Sequence, residues 1–409
     1  MSSPYAVLQI RDFRFFVLAR LFVTLGIQVQ AVAVGLQVYE ITKDPLSLGL
    51  IGLAEAIPAI SVSLYAGHLA DIVQRKKIIL ACVATLSCCA LALTYFTTGL
   101  SSFILYYGAI PIYSVIFLTG IARGFLSPAN FSFMPQLVER HHYQNAITWN
   151  STTWEGASVG GPMIGGLIYG FFGITATYSA ATILILVGLV SYLLITNRPL
   201  PPVSEEQGIY DKIKAGISFV FKNQIVLGAI TLDLFAVLFG GAVALLPIFA
   251  QEILKVGAVG FGFLRSAPAI GALLMAVFIT HYPIRQKMGR TLLWCVAGFG
   301  FCMIGFGFST SFWLSMAFLI LSGMFDCVSV IVRGTLIHTL TPENMKGRVA
   351  AVNSMFIGSS NEIGAFESGF AAKLMGVVPS VIFGGCMTIG VVATTAWKAV
   401  KLRTLDKVH

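Results

Sequence analysis

This sequence has little charge. Asp, Glu, Lys and Arg together make up 11% of its 409 residues, against about 25% in soluble domains. So few charges cannot cover a soluble surface, which excludes an ordinary cytosolic enzyme. The 57% hydrophobic content excludes a disordered chain. The sequence has no G-x-x-x-x-G-K-[ST], so it carries no ATP-binding loop of its own. It lacks H-E-x-x-H, and its single G-x-S-x-G string, Gly156-Ala-Ser158-Val-Gly160, lies inside an apolar run and not at a strand-to-helix elbow, so nothing suggests hydrolysis. The seven cysteines (Cys82, Cys88, Cys89, Cys295, Cys302, Cys327 and Cys386) all lie in apolar stretches, with no C-x-x-C pair. That pattern speaks against a metal site or a disulfide framework. His141-His142 has no further ligand at metal spacing. The 41 glycines show no three-residue period, so collagen is out. No catalytic residue, metal or cofactor is expected.

What the sequence does have is long apolar runs, with a mean hydropathy of +0.86. A membrane-spanning helix needs about 20 apolar residues, and barrel strands would be about 10 residues with strict alternation. The runs here are long and do not alternate. They predict an all-α polytopic membrane protein with twelve spans: 15–39, 45–70, 78–98, 103–134, 145–172, 175–196, 225–251, 259–280, 291–309, 312–339, 349–374 and 378–400. Residues 1–14 are polar with no cleavable signal pattern, so the first span is expected to stay. The longest polar stretch falls mid-chain. It divides the sequence into a six-helix bundle (1–197), a linker with a short amphipathic helix near 210–221 (198–223) and a second six-helix bundle (224–409).

The net charge of +9 suggests a nucleic-acid partner until the cations are placed. With both termini in the cytoplasm, nineteen Lys/Arg fall on cytoplasmic segments. Lys43, Lys255 and Lys373 alone fall outside, and Arg20, Arg123, Arg265 and Arg333 sit within or at the end of spans. The positive-inside rule accounts for the basicity, so no nucleic acid is expected.

The two halves repeat. At an offset of 203, Gly120 falls on Gly323, Asn150-Ser151 on Asn353-Ser354, Gly161 on Gly364 and Gly166 on Gly369. At 210, Pro58-Ala59-Ile60 falls on Pro268-Ala269-Ile270, and at 213 Leu21-Phe22 falls on Leu234-Phe235. Short loop insertions would shift the offset in this way. Two pseudo-symmetric bundles with a substrate site between them are a transporter plan.

The loop after the second span reads Gly67-His-Leu-Ala-Asp71-Ile-Val-Gln-Arg75-Lys76-Lys77. It resembles the signature G-x-L-A-D-R-x-G-R-K of the major facilitator superfamily. Gly67, Leu69, Ala70, Asp71, Arg75 and Lys76 match; Ile72 and Gln74 replace the usual arginine and second glycine. The resemblance implies that the aspartate and the basic residues latch the two bundles and govern switching. The fifth span carries Gly156-Ala-Ser-Val-Gly160-Gly161-Pro162-Met-Ile-Gly165-Gly166. Its small residues suit a helix-packing face. The stretch is also similar to the superfamily's glycine-proline motif, typical of exporters, and the second copy, Ile363-Gly364-Ala365, lacks the proline. Leu232 to Ala236, Leu246 to Phe249 and Gly262 to Pro268 resemble the branch that contains enterobactin exporters and macrolide efflux proteins.

Ionisable groups at membrane depth cost at least about 2.5–3.5 kcal/mol each, so they need partners or water. Arg20, Glu55, Arg123, Glu155, Asp233, Arg265, Asp326, Glu362 and Glu367 are such groups. The repeat places Arg20 on Asp233, Glu55 on Arg265 and Arg123 on Asp326, always with opposite signs. Two readings follow. Some of these pairs are gates between bundles, or each charge is paired within its own bundle, as Arg123 with Glu155. Proton coupling needs a carboxylate tuned by burial and a nearby cation. Glu55 and Asp233 come first, then Glu155, Asp326, Glu362 and Glu367. Gln28, Trp149, Asn150, Trp154, Asn353 and Asn361 are candidates for a substrate cavity, although aromatic residues in spans also serve as core or lipid-facing groups.

The resemblance and the residues together lead us to expect a secondary active transporter of the bacterial inner membrane. It would export a small organic or amphipathic compound, drug or siderophore-like, by proton-coupled alternating access, as a monomer in the lipid bilayer. Uptake symport or lipid translocation on the same scaffold, and a non-transporting membrane sensor, are the other readings.

Overall fold

The structure is a computed structural model that describes residues 5–198, 217–282, 286–342 and 345–404. Most of the expected linker, 199–216, lies outside the described residues, including much of the segment expected to be amphipathic. The described residues are helical, with no strand among them. The long helices are α1 (Arg11–Thr42), α2 (Pro45–Ile72), α3 (Arg75–Phe96), α5 (Ile110–Phe133) and α6 (Tyr143–Leu193), with a short α4 (Phe103–Tyr107) before α5. They continue with α7 (Gln224–Gly240), α8 (Gly257–His281), α9 (Met288–Phe308), α10 (Phe312–Leu340), α11 (Lys346–Met375) and α12 (Val377–Lys398).

Among the described residues, ten helical stretches are long and apolar enough to cross a membrane. Two features separate this figure from the expected twelve. The first is α6, whose 51 residues would extend about 77 Å at 1.5 Å per residue, far beyond a ~30 Å hydrocarbon core. It breaks at Gly173, where φ is 81° and ψ is −178°, a conformation open essentially only to glycine. The second is α11, which has 30 residues but carries Asn353, Asn361, Glu362, Glu367 and Lys373 and is too polar to be counted among the ten.

The chain forms two compact units. One comprises 1–43, 54–204 and 257–266; the other comprises 44–53, 205–256 and 267–409. Each unit thus contains ten residues from the opposite half of the sequence. The core of the first unit centres on Phe13, Phe16, Phe133 and Tyr192, where Phe16 meets the rings of Phe133 and Tyr192 edge-on at 6.2 Å. In the second unit, Leu232, Leu292, Val332, Leu336 and Leu402 gather around α7.

The repeat read from the sequence reappears as a repeated contact. In the first unit, a Cβ on Gly120 of α5 would overlap the carbonyl oxygen of Glu55 and lie 2.8 Å from Pro58 Cγ, both on α2. In the second unit, a Cβ on Gly323 of α10 would overlap the carbonyl oxygen of Pro268 on α8. Gly120 and Gly323 are repeat mates, as are Pro58 and Pro268. The same small-residue crossing is therefore built twice.

Candidate functional site

Beside the first crossing, Glu55 of α2 and Arg123 of α5 form an ion pair. The glycine at 120 brings the two backbones together, and the pair bridges the two helices beside it. Arg123 thus meets Glu55 and not Glu155. In the second unit, Asp233 of α7 pairs with Arg333 of α10, their side chains only 7% and 3% exposed. They lie among Leu232, Ala236, Val332 and Leu336, and Ser329, one turn before Arg333, has a buried hydroxyl with no hydrogen-bond partner among the described residues. Separating such a pair would leave a bare charge in a low-dielectric core.

Arg20 of α1 and Asn130 of α5 are the repeat mates of Asp233 and Arg333, at offsets of 213 and 203. The fully buried Tyr192 donates its hydroxyl to Asn130 Oδ1 at 2.8 Å, and Arg20 is close enough to act on Tyr192 electrostatically. Arg20 is half-buried, and among the described residues it has no ion pair.

The loop motif has a local use in the first unit. Arg75 Nη1 donates to the Ser132 carbonyl at 3.0 Å, and Lys76 Nζ donates to the carbonyls of Leu193 (3.1 Å) and Ile195. These oxygens lie at the C-terminal ends of α5 and α6, where the helix dipole is negative and carbonyls lack helical partners. Nearby, Asp12 accepts from Arg198 Nη2 at 2.9 Å and from both the backbone N–H (3.2 Å) and the hydroxyl of Thr196. Gly67 and Asp71 continue α2, and the Asp71 side chain lies outside the described residues.

The glycine-proline segment divides by position. A Cβ on Gly156 would meet nothing within 4 Å, and one on Gly160 only Leu25 Cδ2 at 3.8 Å. Gly161 faces the Gln28 side chain, and a Cβ on Gly165 would lie 3.2 Å from Val29 Cα and Val32 Cβ of α1. On Gly166 it would lie 2.7 Å from the Ala258 carbonyl and 2.8 Å from Gly262 Cα, at the start of α8. Pro162 sits within this face. The second unit builds a matching crossing. A Cβ on Gly369 of α11 would lie 2.8 Å from Gly49 Cα of α2, and one on Gly52 would lie 2.9 Å from Ala365 Cβ. Ala365 stands where Pro162 stands in the first copy, so the crossing survives without the proline.

The family profile described as "Transmembrane secretion effector" matches residues 2–409. The chain belongs to this family of major facilitator transporters. Enterobactin exporters EntS from Shigella boydii serotype 18 and Escherichia coli O139:H28 are each 27% identical to it over 381 residues, 91% of this chain and 88% of theirs. Among solved structures, it is similar in fold to the POT family transporter PepTSo (TM-score 0.74, 13% identity, 96% of this chain and 98% of that one). It is also similar to a bacterial homologue of the iron transporter ferroportin in an inward-facing state (TM-score 0.72, 15% identity, 96% and 99%). The protein is therefore an integral inner-membrane transporter and not an enzyme.

The remaining site candidates separate by environment. Arg265, Asp326 and Glu362 each engage a partner. Glu155 and Glu367 are half-buried and have no ion pair among the described residues. Gln28 packs its methylenes on Gly161, while Trp149 packs against the core of the first unit, 5.9 Å from the Tyr5 ring. Trp154 is 49% exposed, and Asn361 Nδ2 donates to the Ile357 carbonyl at 3.0 Å. The repeat mates Asn150 and Asn353 each keep a buried amide oxygen with no hydrogen-bond partner among the described residues. Sequence reasoning passed over Arg333 as a site residue. Its signal was present, since it is one of four arginines in or at the end of spans, but the repeat directed attention from Asp233 to Arg20.

Proposed function

We infer that this protein exports a small organic or amphipathic compound, drug or siderophore-like, by proton-coupled alternating access. The observation that carries the reading is the face Gly161–Gly166. It packs on α1 through Gly165 and meets the α8 backbone through Gly166, while the start of the motif at Gly156 is left open. A crossing of bare backbones can part and re-form without rearranging side chains. The EntS relatives, named as exporters, support the direction. Two passes in α6, one in α11 and the other nine long helices would make twelve, and the distribution of Lys and Arg supports placing both termini in the cytoplasm. A monomer suffices for this cycle.

Glu55 and Asp233 are held by arginines, and Asp326 and Glu362 are engaged. That leaves Glu155 and Glu367 as carboxylates whose protonation breaks no ion pair, and they are the first choices for the proton carrier. Proteoliposomes with an internal pH dye, given siderophores and neutral, cationic and anionic amphipathic drugs, test the reading. Cargo-dependent proton flux that disappears in Glu155→Gln or Glu367→Gln is expected. Cargo movement without proton flux would overturn the coupling, and no movement of any compound would overturn export.

A further inference from the structure

Four arginines of this chain lie within or at the end of spans, and three of them have partners. Arg123 holds Glu55, Arg333 holds Asp233, and Arg265 is engaged. Arg20 stands apart, half-buried on α1 with no ion pair among the described residues. Its neighbour Tyr192 is fully buried, and the tyrosine's proton is already committed to Asn130. The repeat shows what is missing. In the second unit, the positions equivalent to Arg20 and Asn130 hold Asp233 and Arg333, an anion and a cation that neutralise each other. In the first unit, the same positions hold a cation and a neutral amide, so this node is one negative charge short.

We propose that Arg20 is the binding point for an acidic group of the transported compound, so the cargo class is organic anions. The inference rests on the export reading above and narrows it. A guanidinium at membrane depth gains most from a partner that can accept two parallel hydrogen bonds, as carboxylate, sulfonate and phosphate groups can. A cargo that brings its own negative charge completes the node only while bound. The charge balance of the first unit then differs between the loaded and empty states, whereas that of the Asp233–Arg333 node does not. Neutral and cationic amphiphiles gain nothing from Arg20.

The test uses the purified full chain in detergent and three aryl anions: 2-naphthoate, 2-naphthalenesulfonate and 2-naphthyl phosphate. The neutral control is 2-naphthamide, and binding is followed by calorimetry. At least one anion should bind at least tenfold more tightly than the amide. Arg20→Gln should remove that advantage, and Arg20→Lys, which keeps the charge but loses the planar fork, should retain part of it. Asn130→Asp offers a check independent of losing the arginine. It supplies the missing charge from within, so it should weaken anion binding at least tenfold while raising the melting temperature.

Equal binding of anions and amide by the wild type, or anion binding unchanged in both Arg20→Gln and Asn130→Asp, would overturn the assignment. Failure of export is distinguishable. If vesicles move neutral or cationic drugs while no aryl anion binds, export stands and the anion site falls. If anions bind in an Arg20-dependent way and nothing crosses the vesicle membrane, the site stands and export falls.

Discussion

Asp233 and Arg333 are one hundred residues apart in the chain and meet as an ion pair with almost no access to solvent. Neither charge has water to fall back on. Removing one partner should therefore cost more than removing both, because the survivor is left uncompensated. Asp233→Leu or Arg333→Met alone is expected to destabilise the protein by about 3–5 kcal/mol, and the double variant to recover most of that loss. Thermal melting in detergent compares the three. A double variant no more stable than either single would show that the pair is not the interaction that matters.

The glycines of the Gly156–Gly166 segment should not behave alike. Gly166→Val forces a side chain into the Ala258 carbonyl and Gly262 Cα, so transport by reconstituted protein should fall by more than tenfold. Gly156→Ala meets nothing within 4 Å and should leave transport near the wild-type level. Equal loss in the two would mean that the motif acts through something other than close packing.

Lys76 caps the end of α6 through two carbonyl oxygens. Lys76→Met should lower stability by about 0.3–1 kcal/mol, the usual size of a cation's interaction with a helix C-terminus. A drop in melting temperature that shrinks in high salt would confirm the electrostatic origin. No drop would show that the cap is idle.

Gly173 holds a backbone conformation that side chains resist. Gly173→Ala should cost about 1–3 kcal/mol although a Cβ there would meet no neighbour. Melting of that variant beside Gly156→Ala separates backbone strain from crowding. Similar small effects in both would mean that the bend relaxes at no cost.

Much of the fold was legible because it depends on periodic and local properties. Long apolar runs announce helices, and the mates Gly120/Gly323 and Pro58/Pro268 were visible as offsets before they appeared as paired crossings. The break in α6 at Gly173 falls on the boundary expected between the spans 145–172 and 175–196, although no polar loop marks it. The charged site was harder to read because ion pairing depends on rotation about helix axes. Repeat arithmetic connects Arg20 with Asp233, but the partner that reaches Asp233 is Arg333. Arg123 meets Glu55 because Gly120 draws α5 onto α2, and nothing in the spacing of charges alone distinguishes Glu55 from Glu155.

The ten-residue stretches 44–53 and 257–266 have a consequence for anyone recombining this chain with a relative. Each belongs to the compact unit of the opposite half. A hybrid gene joined at the central linker would combine each unit with a foreign segment, fitting Gly49 and Gly262 against backbones that did not evolve beside them. Functional hybrids should arise when those two stretches travel with the unit they complete, so the natural modules of this protein are discontinuous in its gene.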